Sequence, residues 1–154
     1  MTSDPAITRI YVDADACPVK DEIYRVAERY RLPVTIVSNS PIRTPNDPRI
    51  SRVVVGDAFD AADDWIAEAA GPGAIVITAD ILLADRCLKA GAAVLSSTGK
   101  AFTSASIGGA IATRAIMADL RAGGEQLGGP RPFSKEDRSR FLQALDTTIV
   151  RLAR

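Results

Sequence analysis

The sequence predicts an α/β fold: a three-layer arrangement of a mostly parallel, five-stranded sheet with helices on both faces, plus two C-terminal helices. Three observations lead there. Short β-branched runs alternate with stretches of helical periodicity as far as residue 96, the pattern of successive βαβ units. The segment "AIVITAD", 74 to 80, is the most strand-like run in the chain. Beyond about residue 104 strand-like runs give way to an Ala-rich helical stretch and a final helix, so the sheet ends before the chain does.

The elements follow in order. Residues 7 to 12 are β-branched and aromatic, a short buried strand. Pro18 suits a first helical position, and Val19, Ile23, Val26, Ala27 and Tyr30 then recur at helical spacing until Pro33 closes the helix. "VTIVS", 34 to 38, is a second strand. Residues 39 to 50 hold three prolines and two asparagines and form a loop. "RVVVG", 52 to 56, is a third strand. A helix from about 60 to 70 stops at Gly71-Pro72-Gly73, and 74 to 80 is the fourth strand. A short helix, 82 to 90, and a fifth strand, 92 to 96, complete the sheet. Residues 104 to 121 form a long helix, "GGEQLGGP" at 123 to 130 is a connection, and Ser134 caps the last helix with acids in its first turn. Phe141, Leu145 and Leu152 line one face of that helix, either as core or as a homodimer contact.

Composition narrows the function classes. The 154 residues make a single domain over 1–154 with a C-terminal helical extension from about 104. Apolar residues are 47% and charged residues 25%, an ordinary globular balance. Lys+Arg and Asp+Glu are 19 each, so no global basic field advertises nucleic-acid binding. Histidine is absent, which removes His-based triads, His general bases and His-ligated zinc together. Two cysteines, Cys17 and Cys87, are too few for an all-Cys zinc site. Cys17 is read as packing or as a reactive thiol, Cys87 as core. With no leader-like N-terminus and no run of 18 apolar residues, the expectation is a cytoplasmic protein with no membrane partner.

The acids carry the chemistry. "YVDADACPVKDEI" places Asp13 and Asp15 straight after the first strand, and "ITAD" places Asp80 after the fourth. Asp57 and Asp60 follow the third. In an open α/β sheet ligands bind beyond the carboxyl ends of the strands, so separate strands deliver carboxylates to one edge. On the helix at 60 to 70, Phe59, Ala62, Trp65, Ile66 and Ala69 form the core stripe, and Asp63 lies at its border, able to lean back to the sheet. Crowded carboxylates repel unless a positive charge compensates them, and an all-oxygen set suits Mg²⁺ or Mn²⁺. The alternative reading is structural: Asp13 and Asp15 complement a helix start, while Asp60 and Asp80 are N-caps.

"DADACPVKDEI", "DAFDAADDWI", "ITADILLAD" and "GGPRPFSKEDRSRF", in that order, resemble the YaiI/YqxD family of uncharacterised bacterial proteins. That family is similar to PIN-like nuclease domains, whose acids bind Mg²⁺ or Mn²⁺ and cleave RNA or DNA. The resemblance implies a PIN-like fold with Asp13 as the first-strand acid, Asp63 as the helix acid and Asp80 as the acid of "T-x-D". Asp15 and Asp85 are implied as auxiliary ligands; Asp85 is otherwise a partner for a cation one helical turn along. The expected activity is metal-dependent hydrolysis of RNA or DNA phosphodiesters, with Arg43, Lys100, Arg114, Arg121 and Arg131 as local cations. Aromatic residues are only 5%, giving few stacking platforms for single strands. Two other readings stay open. "DADAC" looks like the opening of haloacid-dehalogenase-type phosphatases, with Asp13 as nucleophile and Cys17 where Thr or Val is usual. A non-catalytic metal- or nucleic-acid-binding module would keep the same acidic pocket.

Overall fold

A computed structural model describes residues 8–14, 17–56, 60–109, 111–112 and 133–153. Its elements are β1 (Arg9–Asp13), α1 (Lys20–Tyr30), β2 (Val34–Ser38), β3 (Ile50–Val54), α2 (Ala61–Ala69), β4 (Ala74–Ile77), α3 (Ile81–Lys89), β5 (Ala93–Leu95) and β6 (Ala101–Phe102). Helix α4 is helical over 104–109, and α5 (Lys135–Leu152) follows. The fold is α/β, as expected, but the sheet has six strands in the order β3-β2-β1-β4-β5-β6. Neighbours from β3 through β5 run parallel; β6 runs antiparallel to β5.

The sixth strand corrects the five-strand expectation. Two residues are too few to display a period of 2, so nothing in the local pattern marks β6. It forms because the 96–100 turn folds back: Ser96 N donates to the Lys100 carbonyl at 2.9 Å, and Ser96 Oγ accepts from Lys100 N at 3.1 Å. Gly99 makes the turn with φ +86, and a Cβ there would lie 2.6 Å from the Arg140 carbonyl oxygen of α5. The tip of the turn therefore rests on the first turns of the last helix.

Other boundaries shift for identifiable reasons. Pro18 is not the first helical residue; α1 starts at Lys20, after a turn in which Cys17 N donates to the Ala14 carbonyl at 3.3 Å. The helix ends at Tyr30 because Arg31 adopts a left-handed conformation, φ 56, two residues ahead of Pro33. β3 begins at Ile50, earlier than the 52 expected, since Ile50 registers with Val34 and the Arg49 carbonyl accepts from Val34 N at 2.9 Å. β4 stops at Ile77, leaving Thr78 to Asp80 outside the strand. The expected helix over 104 to 121 lies only partly within the described residues, and the 123–130 connection lies outside them.

Burial divides into two clusters, one per face of the sheet. Ile10 and Val12 of β1, Ile36 of β2 and Ile75 and Ile77 of β4 pack with Ile23, Val26 and Ala27 of α1 and with Phe141, Leu145 and Ile149 of α5. The intervening strand residues, Ala74 and Val76, pack with Ala62 and Ile66 of α2 and with Leu83, Ala84 and Cys87 of α3. Tyr11 points the same way and meets Trp65 edge to face, ring centres 5.8 Å apart. The stripe Phe141, Leu145, Leu152 is thus core. Ser134 and Asp137 form a reciprocal capping box at the start of α5, so the cap read from "SKED" is present. Among the described residues no helix is long and apolar enough to cross a membrane.

Candidate metal centre

The strand order reverses between β1 and β4: β2 and β3 extend from one side of that pair, β5 and β6 from the other. Such a switch point opens a crevice at the carboxyl ends of the two strands. Val12 pairs with Ile77, which brings the next residues, Asp13 and Thr78, level across the crevice. Asp13 is the last residue of β1 rather than a loop residue beyond it.

Thr78 joins the two strand ends. Its Oγ1 donates to Asp13 Oδ2 at 2.8 Å and accepts from Asp80 N at 3.0 Å. The residue is buried, so each bond is shielded from competing water. Asp80 is also the N-cap of α3, its Oδ1 accepting from Leu82 N at 2.9 Å and Leu83 N at 3.2 Å. The capping role and the site position belong to the same side chain.

Asp63 completes the convergence from α2. It is half-buried, one position along from the buried Ala62, as its place at the border of the apolar stripe predicts. Its carboxyl is pushed from an ordinary 3.8 up to about 6. Burial is the first cause; the charges of Asp80, Asp13 and Asp60 and a hydrogen bond with Asp80 add to it. Asp63 of α2 therefore feels the charges of Asp13 from β1, of Asp80 from the β4–α3 junction and of Asp60. Asp60 occupies the N-cap position of α2 but makes no capping bond.

The remaining candidates fall elsewhere. Asp85 is paired with Lys89 at 2.9 Å, one helical turn along α3, and is not among the charges acting on Asp63. Asp64 turns outward to Arg86 at 3.0 Å. Asp15 and Asp57 lie outside the described residues, as do Arg114, Arg121 and Arg131. Arg43 is exposed on the loop between β2 and β3, and Lys100 is exposed beside β6. Cys17 packs against the cluster on the α1 face, and burial raises its thiol pKa, with the Asp13 and Glu22 charges adding to the rise; it is a packing thiol, not an activated nucleophile. Cys87 is fully buried and pushed up to about 11.

Among the described residues, no three acidic or Cys side chains are arranged as a ready-made cation cage. Burial first, and then the neighbouring charges and a hydrogen bond with Asp80, favour the protonated form of the Asp63 carboxyl. The donor chemistry is of the kind a hard divalent cation takes: carboxylate oxygens from separate elements, charges that add to the burial of Asp63 in raising its carboxyl, and no soft ligand among them.

Thr78 is the residue that a search for charged groups overlooks; its signal is the hydroxyl two residues before the acid in "T-A-D". Thr78→Val keeps the shape but leaves Asp80 N without its acceptor. The expected loss is about 1–3 kcal/mol of stability, read by urea unfolding. An unchanged midpoint would show the bridge to be energetically idle.

The profile of the "Uncharacterized BCR, YaiI/YqxD family" matches residues 11–151. The chain belongs to the YaiI/YqxD family. A UPF0178 protein of Sphingopyxis alaskensis is 71% identical over 146 residues, covering 94% of this chain and 95% of its own. One from Rhodopseudomonas palustris strain BisB5 is 62% identical over 152 residues, covering 99% and 93%. Another from Bradyrhizobium diazoefficiens is 59% identical over 154 residues, covering 100% and 91%. No solved structure matches. Membership in the YaiI/YqxD family thus rests on nearly the full length of the chain and includes the strand, helix and "T-A-D" segments that meet at the crevice.

Proposed function

We propose that the protein is a divalent-metal-dependent hydrolase of phosphodiester bonds, a nuclease acting on RNA or DNA at the cluster of Asp13, Asp63 and Asp80. The observation that supports this best is the Thr78 hydroxyl tying Asp13 Oδ2, at 2.8 Å, to the Asp80 backbone, at 3.0 Å, across the β1–β4 switch point, with Asp63 close enough for their charges to add to the burial that raises its carboxyl. A fold places acids together against their repulsion where a cation or a proton is to be bound there. The motif similarity to PIN-like domains points to nucleic acid as the substrate and to Mg²⁺ or Mn²⁺ as the ion.

Asp13, Asp63 and Asp80 would hold the metal, with Asp15 as the further ligand that the resemblance implies. A bound ion of this class supplies charge stabilisation at phosphate oxygens and a more acidic water. The chain's own residues prepare the place. Thr78 fixes the Asp13 carboxylate and the Asp80 backbone relative to each other. Asp80, anchored by two N–H groups of α3, keeps one orientation. Asp63 would have to be ionised to hold a cation, so metal binding is expected to strengthen as the pH rises through about 6.

Labelled RNA and DNA incubated with Mn²⁺ or Mg²⁺ are expected to be cut, and not cut once the metal is chelated. Cutting that persists in chelator, or none with saturating metal on either nucleic acid, overturns the reading. A phosphorylated Asp13 trapped from a phosphomonoester would move the site to phosphatase chemistry instead.

A further inference from the structure

The motif "FSKEDRSR" at the start of α5 is far in sequence from the acids, yet it reaches the segment that follows Asp13. Arg138 Nη1 donates to Glu22 Oε2 at 3.0 Å and to the Pro18 carbonyl at 3.4 Å. The guanidinium also lies over the Phe133 ring, 4.9 Å from its centre. Glu22 is buried, its side chain only 11% exposed, and its Oε1 has no hydrogen-bond partner. Arg138 is thus the cation that compensates a buried carboxylate at the start of α1; a buried charge without its partner is strongly unfavourable.

Between Asp13 and α1 the chain must turn from the sheet edge into a helix, and side chains hold three carbonyls of its described residues. Lys20 Nζ donates to the Cys17 carbonyl at 3.1 Å and to the Ala14 carbonyl at 3.4 Å. Arg138 takes the next one, Pro18. The far end of the arrangement is itself fixed: the Ser134–Asp137 box starts α5, Arg140 pairs with the buried Asp137 at 2.7 Å, and the Arg140 carbonyl backs onto Gly99. The start of α5 therefore touches both the β1–α1 crossing and the β5–β6 turn.

We propose that Arg138 is a positioning residue of the acidic site: through Pro18 and Glu22 it fixes the crossing that sets where the end of β1 presents Asp13. The metal arm of the test rests on the function proposed above; the thiol arm does not. Cys17 lies within the crossing and is half-buried, whereas Cys87 is fully buried on the other face of the sheet, so the two thiols report local and global opening separately. In Arg138→Met, the rate of Cys17 modification by a disulfide reagent is expected to rise roughly tenfold with Cys87 unchanged. Mn²⁺ affinity, read by calorimetry, is expected to fall roughly 10–100-fold, as for loss of an outer-shell partner of a metal ligand. Arg138→Lys, which keeps the charge and the donors but not the planar contact with Phe133, is expected to recover part of both. Equal acceleration of both thiols, or of neither, would reduce Arg138 to a general stabiliser and overturn the proposal. Should the wild-type chain bind no Mn²⁺, the nuclease reading fails while the thiol rates still decide the role of Arg138. If Arg138→Met does not fold, the same comparison in Arg138→Lys decides it.

Discussion

Asp13→Asn is expected to lose metal-dependent cleavage by roughly a hundredfold or more, because ion-borne charge stabilisation is worth several kcal/mol and each 1.4 kcal/mol is a factor of ten. The variant should fold as well as the parent. The amide oxygen of Asn accepts from Thr78 Oγ1 much as Asp13 Oδ2 does at 2.8 Å, so the link across the β1–β4 crevice survives. One charge nevertheless disappears from the group acting on Asp63, and the Asp63 carboxyl should titrate below the present value of about 6. Carboxyl carbon NMR reads that shift, and a cleavage assay with Mn²⁺ reads the loss. A variant that cuts at the parental rate, with the Asp63 titration moved, would show that the acids meet for a reason other than catalysis.

The second expectation concerns Asp63 itself. Its folded pKa, about 6, is higher than its ordinary 3.8, so between those values the native chain keeps a proton that the unfolded chain has lost. Stability is then greatest below pH 4 as far as this group is concerned, and declines as the pH rises through 6. A shift of this size corresponds to at most about 3 kcal/mol, and on the order of 1 kcal/mol once solvent screening at a half-exposed carboxyl is discounted. Asp63→Asn should therefore melt like the parent near pH 4 and about 2–4 °C above it at pH 8. Mn²⁺ should raise the parental melting temperature at pH 8 and leave that of Asp63→Asn nearly unmoved. Parallel melting curves across the whole pH range would remove the electrostatic basis of the site.

Much of this was legible in the residues. β2 could be bounded to the residue because "VTIVS" lies between Pro33 and a proline-rich loop. The convergence of Asp13 and Asp80 followed from strand alternation alone, since parallel strands must end on the same edge. Asp63 was separable from Asp64 by helical angle, since Asp64 turns outward to Arg86, whereas Asp60 at the head of the helix still acts on Asp63. What stayed hidden depends on contacts between distant segments. β6 is set by a turn whose glycine fits against α5, not by its own pattern. The paired capping and site roles of Asp80 could be read as alternatives but not as simultaneous, because sequence gives no oxygen count. The Arg138–Glu22 pair spans 116 positions, and no local rule points from one to the other.

The brevity of β6 has a consequence for behaviour at high concentration. An unpaired strand margin is a template for intermolecular pairing and aggregation. Here one margin offers only Ala101 and Phe102 before the backbone enters a helix, too short a stretch to recruit another chain in register. The opposite margin, β3, carries Arg52, whose guanidinium is tied to the Ile42 carbonyl at 2.8 Å, and a charge there disfavours stacking. Both flanks of the sheet are blunted by their own residues, so concentrated solutions should resist fibril-like association without help from a partner.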